Sequence, residues 1–326
     1  MKLEFPGFFD LQVNGFAGAD FNNPRCPVDD LRRAIAALRT TGVTRFLPTL
    51  ITSSSDDFAA CARSMLHLGD DSIAGIHMEG PYISSADGPR GAHALAHVRE
   101  VSVDDFRRRQ DAAQNRIVLV TLAPEIPGAI KLIELLVAEK ICVAIGHTAA
   151  SPEKIRDAVK AGAKLSTHLG NGCANLLARH PNFIWEQLAA DELSASFIAD
   201  GRHLPPATLK AMIRAKTPMR SILVTDAMAA AGCSPGVFKL GESEVQLHAD
   251  GRVAAPGASN LAGSSLTMPA AVANAARFTG LSIEEVLPMA TTQPAALIGQ
   301  QPAGRVNADW NPTDGILKIT SVESGG

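Results

Sequence analysis

The chain has 326 residues, 46% of them hydrophobic and 19% charged, with a net charge of −3. That length exceeds a small two-layer domain and suits one large α/β domain, because α/β barrels commonly run past about 200 residues as a single unit. Neither a basic stripe nor aromatics interleaved with Arg and Lys occurs, which excludes a nucleic-acid surface, and no apolar run approaches a membrane span.

The N-terminus lacks the basic and apolar segments of a signal peptide, so the expected setting is cytoplasmic. The five cysteines, Cys26, Cys61, Cys142, Cys173 and Cys233, are odd in number and form no CxxC pair. That pattern predicts reduced thiols and no disulfide framework. With two Trp and one Tyr, the core must be built from Ala, Val, Ile and Leu.

Eight short apolar runs, each ending in polar or small residues, predict strands buried on both faces. In chain order they are Phe8–Val13, Arg45–Leu50, Ile73–Met78, Ile117–Leu122, Ile141–Ile145, Lys164–Thr167, Ala195–Ile198 and Ile222–Val224. Helical patterns lie between them. Leu31, Ile35 and Leu38 repeat at helical spacing, as do Ile155 and Val159, and Ser151-Pro152-Glu153 is a helix start. Strand and helix alternating eight times predict an α/β fold, a (β/α)8 TIM-type barrel, with a doubly wound open sheet as the competing architecture.

After the eighth strand, Phe238–Ala255 predicts a β-hairpin, with Glu244–Leu247 and Arg252–Ala254 flanking the turn Ala249-Asp250-Gly251. Helical patterns return at Met268–Phe278 and from Ser282, where Ser282 and Glu285 could form a capping box. From about Gln300 the chain is rich in Pro, Gly and Asn, then offers a strand at Ile316–Thr320. The expected division is a barrel over 1–299, carrying the hairpin insertion at about 238–255, and a short C-terminal tail over 300–326.

The chemistry lies at the strand ends. The third strand runs into Glu79-Gly80-Pro81, the fifth into Gly146-His147-Thr148, the sixth into Thr167-His168-Leu169, and the eighth into Thr225-Asp226-Ala227. In a closed parallel barrel these ends converge on one mouth, where active sites sit. Two histidines and a carboxylate, Glu79, His147 and His168, make a common ligand set for a catalytic divalent ion. Asp226 could move the proton of a hydrolytic water. Each residue alone has a structural alternative: a hydrogen-bonded core histidine, or a helix cap for Asp226. A carboxylate at the end of a buried strand, like Glu79, needs a partner in any case. His77, two residues before Glu79 on the same strand face, could support the site or fill the barrel interior.

These segments resemble a known family. Pro6-Gly7-Phe8-Phe9-Asp10-Leu11-Gln12-Val13-Asn14-Gly15 looks like the opening motif of the amidohydrolase superfamily. His77-Met78-Glu79-Gly80-Pro81, Thr121-Leu122-Ala123-Pro124-Glu125, Gly146-His147-Thr148, Thr167-His168-Leu169, Ile198-Ala199-Asp200-Gly201, Thr225-Asp226-Ala227 and the run Leu261–Met268 resemble N-acetylglucosamine-6-phosphate deacetylases. The resemblance implies hydrolysis of the N-acetyl amide of a small amino-sugar phosphate, and a homodimer. By residue, it implies Glu79, His147 and His168 as ligands of one divalent metal ion, with zinc favoured and iron, cobalt or nickel also accepted. It implies Asp226 as the catalytic acid–base and His93 as the group that polarises the amide carbonyl. Asn171, Gly172, Arg179 and His203 would contact substrate, and a guanidinium forks well onto phosphate.

The departures from the family are specific. Gln12 and Asn14 stand where many superfamily members carry His-x-His, and amides are poor transition-metal ligands. No lysine ends the fourth strand. Gly170 follows His168-Leu169, where related enzymes often have an aromatic residue. The family's small β-sandwich is expected to be vestigial or missing, with 300–326 as its remnant. Two other functions stay open: another amidohydrolase on the same barrel (an N-acyl-amino-acid deacylase or cyclic-amide hydrolase), and a non-catalytic binding barrel.

Overall fold

A computed structural model describes residues 1–240, 243–254 and 261–325. The eight barrel strands are β1 (Phe8–Val13), β2 (Val43–Leu50), β3 (Ile76–Glu79), β4 (Ile117–Leu122), β5 (Cys142–Ile145), β6 (Leu165–Ser166), β7 (Ser194–Phe197) and β8 (Ser221–Leu223). They form one parallel sheet in sequential order, with pairs such as Glu79 with Thr121, Leu122 with Ile145 and Phe197 with Leu223. This is the expected barrel, not the open doubly wound sheet. Strand limits differ from expectation by a few residues. Ile73 makes only an isolated bridge to Phe46, and β3 runs on to include Glu79.

The seam between β1 and the end of β8 is closed by side chains as much as by backbone. Asp10 is fully buried and accepts a 2.5 Å bond from the Thr225 hydroxyl and a longer one from the Thr225 backbone N–H. The Asn14 N–H donates to the Ala227 carbonyl at 2.7 Å. A parallel ladder two or three residues long cannot satisfy its own polar groups at the rim, so the Asp10 carboxylate takes over that work.

The helices pack outside the sheet through aliphatic stripes. Val28–Thr40 buries Leu31, Ala34, Ile35 and Leu38, each fully buried Leu or Ile worth about 1.5–3 kcal/mol. Pro152–Lys160 starts at the Ser151 cap, and both bonds of the Ser282–Glu285 capping box are present. Beside β3, Asp105 accepts from Ser55 Oγ, Tyr82 OH and Arg109 Nε at 2.7, 2.9 and 3.0 Å. The Arg109 and Asp105 side chains are 1% and 3% exposed. Removing one partner of such a pair strands a buried charge. The network therefore fixes Tyr82, and with it the segment that leaves Glu79.

Two smaller sheets complete the fold. Gly236–Leu240, Ser243–Leu247 and Val253–Ala254 form an antiparallel sheet after β8. Its first strand is absent from the sequence expectation, which placed a hairpin at 238–255; positions 241–242 and 255 of that span lie outside the described residues. Lys2–Pro6 pairs with Arg305–Asn311, which pairs with Ile316–Glu323. The strand expected at Ile316–Thr320 is thus one of three, and Lys2–Pro6 reaches it from the opposite end of the chain. Among the described residues, no helix is long and apolar enough to cross a membrane. All five cysteines are free thiols.

Candidate active site

The carboxyl ends of the barrel strands open into a cavity of about 290 Å³. Glu79, His93, His147, His168, Asn171, Gly172, His203 and Asp226 all line it. Arg179 does not. It is exposed on the loop before the helix Phe183–Ala189, outside the cavity lining.

Glu79 ends β3, and His147, His168 and Asp226 lie just past β5, β6 and β8. Their φ angles are 51°, 28° and 49°, a left-handed backbone that side chains with a Cβ rarely adopt. Such residues cost of order 1–3 kcal/mol each and persist where the surroundings over-determine them. The left-handed turn bends the chain at the strand end. Gly172 lies so close to the His147 ring that a Cβ there would meet Nδ1 at 2.7 Å.

The Nε2 atoms of His147 and His168 face one oxygen of Glu79 at 3.2 and 3.1 Å. Nδ1 of His147 is 2.8 Å from the Pro89 carbonyl. A carbonyl only accepts, so Nδ1 carries a hydrogen and Nε2 of the neutral ring holds the lone pair. A lone pair facing a carboxylate oxygen is repulsive unless a proton or a metal ion lies between them. The three ligand atoms lie within 4.8 Å of one another, a donor set that fits one divalent ion. Burial opposes the Glu79 charge, yet with a proton in the metal's place between them the His147 and His168 rings, by hydrogen bonds and positive charge, hold its carboxyl well below the usual range. Burial lowers His168, but Glu79 outweighs it and raises the ring.

His93 is oriented as a donor. The backbone N–H of Thr52, which can only donate, faces Nδ1 at 3.4 Å, and the Thr52 hydroxyl lies at 2.8 Å. The ring hydrogen therefore belongs on Nε2, which points into the cluster 3.2 Å from Nε2 of His147. Burial and the neighbouring His147 push His93 down to about 3, so it stays neutral. Asp226 moves the other way. Burial and the charge of Glu79 raise it to about 6, while Asn14 donates to it at 2.6 Å.

Three residues complete the picture beyond those expected. Gln12 Nε2 donates to Glu79 at 3.0 Å, and Asn14 holds Asp226. The amides that replace His-x-His on β1 thus serve as hydrogen-bond donors to the two carboxylates. Arg202, next to His203, also lines the cavity. A signal for it existed in Asp200-Gly201-Arg202-His203, a turn just past a strand end. His77 faces the barrel interior, bonded to the Leu11 carbonyl and the Thr121 hydroxyl, and burial lowers it to about 4.

The amidohydrolase family profile matches residues 4–311. The chain belongs to the amidohydrolase family. It is 36% identical to the human N-acetylglucosamine-6-phosphate deacetylase over 318 residues, covering 91% of this chain and 75% of that protein. It is 35% identical to an N-acetylgalactosamine-6-phosphate deacetylase of Shewanella sp. (strain ANA-3), covering 97% of this chain and 80% of that protein. Among solved structures, it superposes on a variant N-acetyl-D-glucosamine-6-phosphate deacetylase from Mycobacterium smegmatis, in complex with N-acetyl-D-glucosamine-6-phosphate. The TM-score is 0.90 at 29% identity, over 99% of this chain and 86% of that one.

In this amidohydrolase the two carboxylates of the cavity are pushed apart in acidity, one low and one high, the arrangement that separates a ligand from a proton carrier. In the metal-free protein, the carboxylic-acid infrared band that is absent from Asp226→Asn is expected to grow as pH falls through about 6. The raised value makes the neutral acid the favoured form below that pH. Growth beginning only near the ordinary aspartate value of about 4 contradicts this assignment.

Proposed function

We propose that the chain hydrolyses the N-acetyl amide of an amino-sugar 6-phosphate, N-acetylglucosamine-6-phosphate first, to the free amine and acetate. The observation that carries this reading is one cavity holding Glu79, His93, His147, His168 and Asp226, in a chain that matches deacetylases of such sugars over 91% of its length. Glu79, His147 and His168 would hold one divalent ion, with zinc favoured and iron, cobalt or nickel acceptable to the same donors. A bound ion of this kind supplies Lewis acidity to an amide carbonyl and lowers the pKa of water to about 7.

The side chains then have separable tasks. His93, neutral and with its hydrogen on Nε2, donates to the amide oxygen as charge develops there. Asp226 takes the proton of the attacking water and returns it to the departing amine nitrogen, so the C–N bond breaks and the amine leaves neutral. Asn14 fixes the Asp226 carboxylate for both transfers, and Gln12 does the same for Glu79. Asn171 and Gly172 border the sugar, with His203 at its phosphate end.

The Shewanella relative is named for the galactosamine sugar, which differs in configuration at C4, so both epimers belong in the assay. Acetate release is expected from a 6-phosphorylated N-acetylhexosamine in preference to the unphosphorylated sugar. Asp226→Asn is expected to keep its metal and lose roughly 10²–10⁴-fold in kcat. No acetate from either epimer, with metal present, would discard the substrate class. Turnover unchanged in Asp226→Asn would remove Asp226 from the chemistry.

We further propose that two copies associate through the loop that carries Arg179. Leu176 on that loop is 91% exposed, and Trp185 on the next helix is 55% exposed. Such apolar exposure favours an interface. Arg179 stands outside its own cavity, so a phosphate role for it would be exercised on the cavity of the second copy. Sedimentation velocity at micromolar concentration is expected to give a dimer that Leu176→Glu weakens; a wild-type monomer contradicts this. The three-stranded sheet at Lys2–Pro6, Arg305–Asn311 and Ile316–Glu323 is the candidate for the family's small β unit, beside a barrel ending near 299. The five free thiols fit a reducing, cytoplasmic setting.

A further inference from the structure

We infer that Arg202 is the residue that pairs with the substrate phosphate from within the chain; this rests on the phosphorylated-sugar reading above. Among the described residues that line the cavity, Arg202 is the only arginine or lysine. The other fixed charges there, Glu79 and Asp226, are negative in their ionised forms. A phosphate monoester carries about −1.5 to −2 charges near neutral pH. Without Arg202, the cavity would offer a phosphate no arginine or lysine from this chain, only His203, the bound ion and neutral donors beside two carboxylates.

The local structure holds Arg202 in place. Asp200, just past the end of β7, accepts the backbone N–H of Arg202 at 2.7 Å and that of His203 at 2.8 Å. It also accepts from His203 Nδ1 at 2.6 Å, which leaves Nε2 of that ring free to face the cavity. The hydrogen bonds and charge of His203, with those two backbone donors, outweigh burial and lower the Asp200 carboxyl. One carboxylate therefore ties down the backbone of both adjacent cationic or donor residues. On the far side, Arg202 Nη2 donates to the Asp250 carbonyl on the turn of the small antiparallel sheet. Among the described residues, that is its one side-chain hydrogen bond.

Arg202 is exposed and lines the cavity, and the N–H groups that its guanidinium does not spend on Asp250 can meet two phosphate oxygens together. His203, whose side chain is only 10% exposed, sits deeper. It is also near enough to Asp226 to oppose, without reversing, the rise that burial and Glu79 cause there. Arg202, His203 and Asp226 all line this cavity and Arg202 is the most exposed of the three, so a 6-phosphate would face Arg202 while the N-acetyl group faces Asp226. The turn at Asp250 would then share in phosphate recognition by orienting Arg202, linking the small sheet to substrate selection.

The test compares wild type, Arg202→Ala and Arg202→Lys, full-length and metal-loaded, on N-acetylglucosamine-6-phosphate and on N-acetylglucosamine, with inorganic phosphate as a competing probe. Arg202→Ala is expected to raise KM for the phosphorylated sugar about 10- to 100-fold, with kcat changed by less than about three-fold. The preference for the phosphorylated over the plain sugar should shrink by the same factor, and the inhibition constant of phosphate should rise with it. Arg202→Lys should recover part of each effect, since it restores the charge without the fork. If Arg202→Ala keeps the wild-type KM and preference, this inference is wrong and the deacetylase reading stands. If wild type shows no preference for the phosphorylated sugar, the phosphate reading falls and this inference falls with it.

Discussion

A carboxylate that is 3% exposed, with two histidine Nε2 atoms aimed at one of its oxygens, is the constraint around which the rest is arranged. Taking such a charge out of water costs several kcal/mol even after relaxation, and only close positive charge and hydrogen bonds can offset that. The surrounding residues serve this need. Gln12 reaches Glu79 from β1, His147 and His168 approach from β5 and β6, and the Pro89 carbonyl fixes the His147 hydrogen on Nδ1. Burial keeps His93 neutral against the pull of the Glu79 charge, and burial together with that same charge lifts Asp226.

That arrangement is mounted on a rim built at some cost. His147, His168 and Asp226 all take left-handed backbone angles immediately after buried strands. A chain free to relax would avoid three such residues in one place. They are held because the strands beneath are locked by packing. Phe8, Phe9, Phe46, Ile76, Leu122 and Phe197 are essentially fully buried, and Asp10 bonds the seam of the barrel through Thr225. Strain at the rim and rigidity below it are two sides of one design, in which precise placement matters more than local backbone comfort.

The barrel and its four chemical strand ends were legible in the sequence because buried parallel strands are short apolar runs, and their ends are marked by charged or imidazole side chains. Lys2–Pro6 and Arg305–Asn311 carry a weaker sequence signal, for a physical reason. They pair with each other across some three hundred residues, as Lys2 with Asp309, so Lys2–Pro6 has no local partner to signal it, while Arg305–Asn311 also pairs locally with Ile316–Glu323. Burial alternates along Arg305–Asn311, with Val306, Ala308 and Trp310 inward, a pattern masked by the Pro- and Gly-rich approach to it. Within the site, Gln12 and Asn14 looked like losses from a metal motif, and the structure gives them donor roles. Arg202 was invisible because an exposed arginine has no pattern until a cavity forms beside it. The exposed position of Arg179 depends on a loop path that residue order alone does not fix.

X-ray absorption spectroscopy of the zinc- or cobalt-loaded protein tests the central claim most directly, by reporting what the metal touches. The account predicts one ion per chain with two imidazole ligands and the rest oxygen, falling to one imidazole in His168→Ala. A metal shell with no imidazole, or one left unchanged by His168→Ala, would contradict the assignment of Glu79, His147 and His168 as its binding site.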